Sequence, residues 1–308
     1  MKYKVAQIIP YFGKWPEWIE LYFYSCGQNP NIDFIIYTDC KIPQYSYPNI
    51  KFITISFKNY CKLVECNLGV NYSIESSYKL TDLKPFIGYI HQEELRKYDF
   101  WGFGDLDLVY GDLSMIVNDK ILERYELVTT HNYHIAGHFT ICKNNEYWRT
   151  LCFKIKNWQK LLTDKQHYSL DENAWSGLVN PYIKYIHRIY QLLLRPFGIH
   201  YFTALDLLNP IFTRKCLFRE YWTSPHADPE NGTAKEWVYD LKYHKIFDYR
   251  SRELPYLHFL FFKKTDWLDT QYYWKEGYWK INMGVQNNLP NYSYKKIIFN
   301  HKEVKGEN

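Results

Sequence analysis

The chain has 308 residues and a formal net charge of +5, a balance that suits small anionic ligands or an anionic lipid surface and argues against nucleic acid as a partner. Aromatic residues make up 20% of it, with 31 Tyr and 11 Trp, rings whose polar edges suit sugars and lipid headgroup layers as well as cores. No window approaches ~18 uncharged apolar residues, so no bilayer-spanning helix is expected, and seven cysteines without a C-x-x-C pair fit reduced thiols in a cytoplasmic setting.

The first element is Val5–Ile9, a short apolar run closed by Pro10. Pro10 and Gly13 interrupt it too soon for a secretory signal, so it reads as a strand. Trp15-Pro16-Glu17 opens a helical pattern through Ser25, with proline near the first helical position, where its missing N–H costs little. Ile32–Tyr37 is a β-branched run ended by Thr38-Asp39, and Ile50–Ile55 is the next strand. Residues 58–69 and 82–97 read as helices, and Asp99–Phe103, Glu126–Thr130 and Phe139–Cys142 as further strands. Strands alternating with helices predict an α/β fold of one domain over residues 1–308, a Rossmann-like, mostly parallel mixed sheet with flanking helices. Ligands in such sheets lie beyond the carboxyl ends of the strands. Tyr11, Asp39 and Asp105 all follow strand ends and should meet on one rim. Helical patterns near 145–162 and 171–194 then give way to a Trp/Tyr/His-rich C-terminal elaboration from about residue 220.

The stretch FWGFGDLDLVYGDL (Phe100 to Leu113) places Asp105 and Asp107 at the end of a predicted strand. If the strand continues, their side chains share a face; if it turns, they fan out around one point. Paired carboxylates disfavour each other's ionisation unless a cation lies between them. A hard dication, Mg²⁺ or Mn²⁺, is the natural occupant, completed by water and substrate phosphates. Acidic residues past a strand are also ordinary turn formers, and both readings stand at this point. Asp112 is most simply a helix N-cap.

The order of features resembles a GT-A glycosyltransferase, and more closely the retaining bacterial transferases of the lipopolysaccharide and capsule type. The matching pieces are IIPYFG, IIYTD, SSYKLTDLKPFIGYI, the Asp-Leu-Asp stretch, HIAGHFTICKNNE, SLDENAWSG and LHFLFFKKTDW. The resemblance implies a GT-A fold in which residues 1–142 bind a nucleotide-sugar, UDP-linked, and residues 143–308 serve the acceptor. It implies that Pro10, Tyr11, Thr38 and Asp39 line the nucleobase end, and that Lys79, Asp82 and Lys84 sit near ribose, diphosphate and donor sugar. Read on their own, those last three fit a solvated helix face equally well. Asp105 and Asp107 become metal ligands, with His258 the third; a buried strand histidine is the alternative. Lys263 or Lys264 would close over the diphosphate, although members often carry glycine and Lys-Pro-Trp after the histidine, where this chain has FLFFKK and Trp267. Gly137 and His138 fall where the backbone approaches the donor sugar. Asp171 or Glu172 would support an oxocarbenium-like sugar, unless Asp171 merely caps a helix.

His131, His134 and His138 stand at zinc-like spacing, but no cysteine or acid accompanies them. Pro181 to Phe202 mixes Lys184, His187, Arg188 and Arg195 with Tyr, Ile and Leu. It reads either as a basic amphipathic helix on the inner membrane surface, beside a glycan or lipid-linked acceptor, or as a core helix with snorkelling basic ends. Two other classes compete with sugar transfer: a metal-dependent phosphohydrolase using the histidine cluster, and a non-catalytic glycan-binding protein.

Overall fold

The computed structural model describes every residue except 45–46, 222, 224–235, 259–283, 287–288 and 301–302. Its strands, in chain order, are β1 (Val5–Pro10), β2 (Ile32–Thr38), β3 (Ile50–Thr54), β4 (Phe100–Gly104), β5 (Leu108–Tyr110), β6 (Leu127–Thr129), β7 (Phe139–Lys143) and β8 (Cys216–Phe218). They continue with β9 (Glu236–Asp240), β10 (Lys245–Asp248), β11 (Glu253–Leu254), β12 (Tyr256–His258), β13 (Gly284–Gln286), β14 (Leu289–Asn291), β15 (Lys296–Asn300) and β16 (Val304–Glu307).

Seven strands form the central sheet in the order β3-β2-β1-β4-β7-β6-β8. β3, β2, β1 and β4 run parallel, β7 runs antiparallel to both β4 and β6, and β8 is parallel to β6. This is the mixed, mostly parallel sheet that the strand–helix alternation predicts. Parallel strands covered on both faces read as near-continuous apolar runs. Here Val5, Ile9, Phe34 and Ile36 pack with the helix Ile19–Gly27, while Ala6, Ile8, Ile35 and Tyr37 pack on the other face with Tyr60 and Val64 of the helix Phe57–Leu68.

Three helical expectations change in detail. Residues 82–97 are not one helix but a 3₁₀ segment Ser77–Phe86, a single α-turn Ile87–Ile90 and another 3₁₀ turn Glu94–Lys97. Pro85 lies inside the first piece and cannot donate the hydrogen bond a regular α-helix needs there. Residues 145–162 break at Asn157, whose φ of 58° is left-handed. Residues 171–194 break at Asn180-Pro181 between Ser176–Val179 and Ile183–Ile189. As expected, Asp112 caps a short 3₁₀ turn, its Oδ1 accepting from Ser114 N–H at 2.9 Å.

The C-terminal elaboration is a second sheet, five antiparallel strands in the order β11-β10-β9-β15-β16. Its Tyr239, Ile297 and Phe299 join the core that also holds Tyr22 and Tyr110. β12 leaves this sheet's neighbourhood and pairs antiparallel with β5, setting His258 opposite Leu108. Among the described residues no helix is long and apolar enough to cross a membrane.

Candidate active site

The carboxyl ends of β1 and β4 open onto a cavity of about 830 Å³. Two strand registers deliver its polar side chains. Gly104 at the end of β4 lies opposite Phe139 at the start of β7, so the Asp105 N–H donates to the His138 carbonyl at 3.2 Å. The β5–β12 pairing sets His258 beside Asp107, with Nε2 3.6 Å from Oδ2. Both are buried. Between the aspartates, Leu106 offers its carbonyl to the Trp18 indole N–H at 2.9 Å, which pins the turn. The chain turns after Gly104, and the two carboxylates fan out to different partners.

Asp105 turns to Lys84. The ammonium donates to Asp105 Oδ1 at 2.7 Å and stands 3.7 Å from Asp171 Oδ2. Burial works against its charge, but Asp105 and Asp171 outweigh that and hold the ammonium above the ordinary lysine range. Asp171 is pushed up to about 6: burial raises it, Lys84 pulls it down, and Glu172 and Asp105 push it up again. A Cβ on Gly137 would stand 2.7 Å from Asp171 Oδ2, 3.0 Å from Lys84 Nζ and 3.2 Å from Glu172 Oε1. Only glycine leaves room for the charged groups to close over that backbone.

Asp171 and Glu172 open a π-helical turn, Asp171–Trp175, a form that recurs at functional sites. The turn is tied to the 130–138 loop through Ser176, whose Oγ donates to the Asp171 carbonyl and accepts from Ile135 N–H, both at 2.8 Å. His138 stacks on His258 with ring centroids 4.3 Å apart, and its Nε2 meets Tyr256 Oη at 2.8 Å and Thr130 Oγ1 at 3.1 Å. Burial, with His258 and His131 adding, holds the His138 ring neutral.

The sequence profile of one protein family matches residues 7–283. The chain belongs to that family, DUF6625, a family of unknown function. No curated protein matches this DUF6625 chain. Among solved structures it is similar to a galactosyltransferase, LgtC, in complex with donor and acceptor sugar analogs, at 12% identity over 83% of this chain and 87% of that one, with a TM-score of 0.38. It is also similar to the glycosyltransferase GlyE of Streptococcus pneumoniae TIGR4, at 14% identity, 71% and 45% coverage and a TM-score of 0.27. The apo form of GlyE gives 16% identity, 72% and 55% coverage and a TM-score of 0.32. The DUF6625 chain therefore spans about half of each GlyE chain.

Of the residues singled out in the sequence, Pro10, Tyr11, Lys84, Asp105, Asp107, His138, Asp171, Glu172 and His258 of the DUF6625 chain line the cavity. Thr38 and Asp39 do not; Thr38 Oγ1 accepts from Cys40 N–H at 3.0 Å, and Asp39 Oδ1 accepts from Gly13 N–H at 2.8 Å, so they shape the turns beneath Tyr11. Lys84 lies in the last turn of its 3₁₀ segment. Lys79 and Asp82 are not on a solvated face. They form a buried pair at 2.8 Å, Lys79 donates to the carbonyls of Leu161 and Gln166, and Asp82 accepts from Tyr168 and Leu170 N–H. That clamp delivers the segment leading to Asp171. His131 and His134 stack on each other at 3.6 Å and do not line the cavity. Lys263, Lys264 and Trp267 lie outside the described residues. Trp18, Tyr78 and His167 join the wall without having been picked out as site residues; Trp18 carried only a helix-face signal and His167 none.

Among the described residues no three His, Cys, Asp or Glu side chains stand together as a metal cluster. Asp107 and His258 nevertheless fit as two ligands of one ion. Bonds of ~2.1 Å at right angles put neighbouring ligand atoms roughly 3.0 Å apart, so the observed 3.6 Å reaches adjacent positions on one ion with a side-chain shift of about 0.6 Å.

Proposed function

We propose that this DUF6625 protein is a glycosyltransferase that moves a hexose from a UDP-sugar, with retention, onto a surface-polysaccharide or lipid-linked oligosaccharide acceptor, with Mn²⁺ or Mg²⁺ as cofactor. The observation that carries the reading is the meeting of Asp107–His258 and Asp105–Lys84–Asp171 over one cavity at the carboxyl ends of β1 and β4. Its volume of about 830 Å³ suits a nucleotide-sugar.

Pro10 and Tyr11 would take the base. Tyr11 stacks on Trp15 with centroids 5.2 Å apart and planes 8° from parallel, a stiff aromatic wall. Asp107 and His258 would hold the ion, which supplies electrostatic stabilisation to charge on the departing diphosphate. Lys84 fixes Asp105 and Asp171 in place. Asp171 is the group suited to the sugar: burial resists its ionisation, so positive charge developing on an adjacent anomeric carbon relieves an existing deficit. Retention then needs no protein base, because a diphosphate oxygen can take the proton of the incoming hydroxyl. Lys263 and Lys264 are the candidates to cover that diphosphate. A phosphohydrolase built on the histidine cluster finds only His138 at the cavity.

The test is a thermal-stability screen of the full chain against nucleoside diphosphates with and without Mn²⁺. The reading expects a shift with UDP that needs the metal and is absent in Asp107→Ala. No shift with any nucleotide, or an undiminished one in that variant, would overturn it. Hydrolysis of UDP-hexoses then ranks the donors.

A further inference from the structure

Seven of the thirteen exposed large hydrophobic side chains among the described residues lie between Tyr182 and Ile211. From residue 181 to 203 only Ile186 is buried, although the stretch is rich in Tyr, Ile and Leu. It is helical nearly throughout: Ile183–Ile189, then a π-turn Tyr190–Leu194 and a 3₁₀ turn Arg195–Phe197. The helix Tyr201–Phe212 packs beside it and adds exposed Leu207 and Ile211. Leu192, Leu193 and Phe197 are 64%, 60% and 82% exposed, values a packed helix does not leave on its apolar side.

The spacing sorts these residues by face. Tyr182, Tyr185 and Ile189 recur every three or four positions along the α-helical part and form one stripe, and the exposed Leu192 and Leu193 follow it in the π-turn. Lys184 and Arg188, four positions apart, are exposed on the neighbouring side of the α-helical part, and Arg195 is exposed in the 3₁₀ turn beyond it. Asp206 is the single acidic residue between 181 and 212. An apolar stripe flanked by basic side chains is the arrangement of a helix lying in a lipid interface. Tyr182 and Tyr185 are of the residue type that settles at headgroup level.

We propose that residues 182–211 form the surface by which this protein lies on an anionic lipid bilayer. Charge complementarity decides against a second copy of the chain, since a two-fold contact sets the same patch, and so the same basic stripe, against itself. An anionic leaflet satisfies the lysine and arginines while taking up the apolar stripe. The proposal is independent of the sugar-transfer reading, because lipid binding is measured with no donor present. If both hold, the turn bearing Asp171, which runs into this segment through Ser176–Val179, ties the cavity to the surface on which a lipid-linked acceptor resides.

The test is flotation of the full chain with phosphatidylcholine vesicles and with mixed phosphatidylcholine–phosphatidylglycerol vesicles. Binding is expected to the mixed vesicles only, and to weaken as salt is raised. The double variant Leu192→Glu/Leu193→Glu should bind about tenfold less or worse. Lys184→Glu/Arg188→Glu should lose about as much on the mixed vesicles. Both alter exposed positions, so an unchanged circular dichroism spectrum is expected. No vesicle binding by the parent, or equal binding by both variants, would overturn the proposal. A concentration-dependent dimer abolished by Leu192→Glu/Leu193→Glu would also overturn it by assigning the face to a second copy.

Discussion

Asp171→Asn should make the protein more stable at alkaline pH while impairing it as a catalyst. Asp171 is 3% exposed, and its surroundings, burial foremost, move it from an ordinary 3.8 to about 6. Its folded value therefore lies above its unfolded one, and the folded state holds the proton more tightly. The sign follows: stability of the parent falls as pH rises from about 4 to about 6, then levels off. At 1.36 kcal/mol per unit the ionised carboxylate costs about 3 kcal/mol at pH 8. Lys84 stays cationic throughout, so its attraction is already contained in that figure. An asparagine keeps the shape and never ionises. The gain of the variant over the parent should thus grow from near zero below pH 4 to at most about 3 kcal/mol above pH 6. Other groups titrate in the same range, including His91, which burial brings down to about 3, and those away from Asp171 are present in both proteins and cancel in the difference. Glu172 and Asp105 repel the Asp171 charge, so its loss favours the variant in the same direction. Urea unfolding at pH 4 and pH 8, with m-values compared, measures it. The proposed sugar transfer should fall by ~10²–10³, the usual loss when an electrostatic stabiliser of the transition state is removed. A variant less stable than the parent at pH 8 would refute the reasoning, showing that the attraction to Lys84 exceeds the cost of burial. So would a gain that does not change with pH.

Gly137→Ala forces a methyl to within 2.7 Å of Asp171 Oδ2, so it should cost ~1–3 kcal/mol by overpacking and lower UDP-hexose hydrolysis, both read against Gly137→Ser as a larger probe. Lys79→Met leaves Asp82 buried without its cation and should cost ~3–5 kcal/mol, with new protease cleavage between Leu161 and Leu170; unaltered unfolding would deny the clamp its role. Trp18→Phe removes the donor to the Leu106 carbonyl, worth ~1 kcal/mol, and should weaken the metal-dependent UDP shift more than it lowers the melting temperature.

The parts of this fold that a sequence displays are those whose physics is local. β1 and β2 are covered on both faces, so they appear as apolar runs, and the aspartates after β1's neighbours β2 and β4 appear as strand ends. The C-terminal sheet is not legible in the same way, because its strands are short and mix charged with apolar residues, as in EWVYD, KIFD and VKGE, without a clean apolar run. The pairing of β12 with β5 joins residues about 150 positions apart, and nothing in LHF signals that partner. Lys79 and Asp82 show the limit most clearly. Their i, i+3 spacing is the same whether the pair is solvated or buried, and what buries it is the backbone of residues 161–170. The Asp-Leu-Asp stretch announces two carboxylates but not that each answers to a different partner, since that depends on Lys84 arriving from upstream in the chain and His258 from far downstream.

That division of partners bears on how a diphosphate could enter. Among the described residues the cavity wall carries four carboxylates, Asp105, Asp107, Asp171 and Glu172, against one lysine, Lys84. Lys84 is already engaged by Asp105 and Asp171, and the Asp107–His258 pair is buried. A bare nucleoside diphosphate would meet net repulsion in a partly enclosed, low-dielectric space, where charge interactions are far stronger than in water. The same ligand carrying a dication reverses the sign of that interaction at the Asp107–His258 side. Metal dependence is thus expected from the charge of the wall itself. Without metal, UDP affinity should rise with added salt as the repulsion is screened; with Mn²⁺ it should fall with salt, because attraction is then what is screened. Isothermal titration at two ionic strengths distinguishes these slopes. UDP affinity that falls with salt in the absence of metal would mean that cations other than Lys84 govern the site.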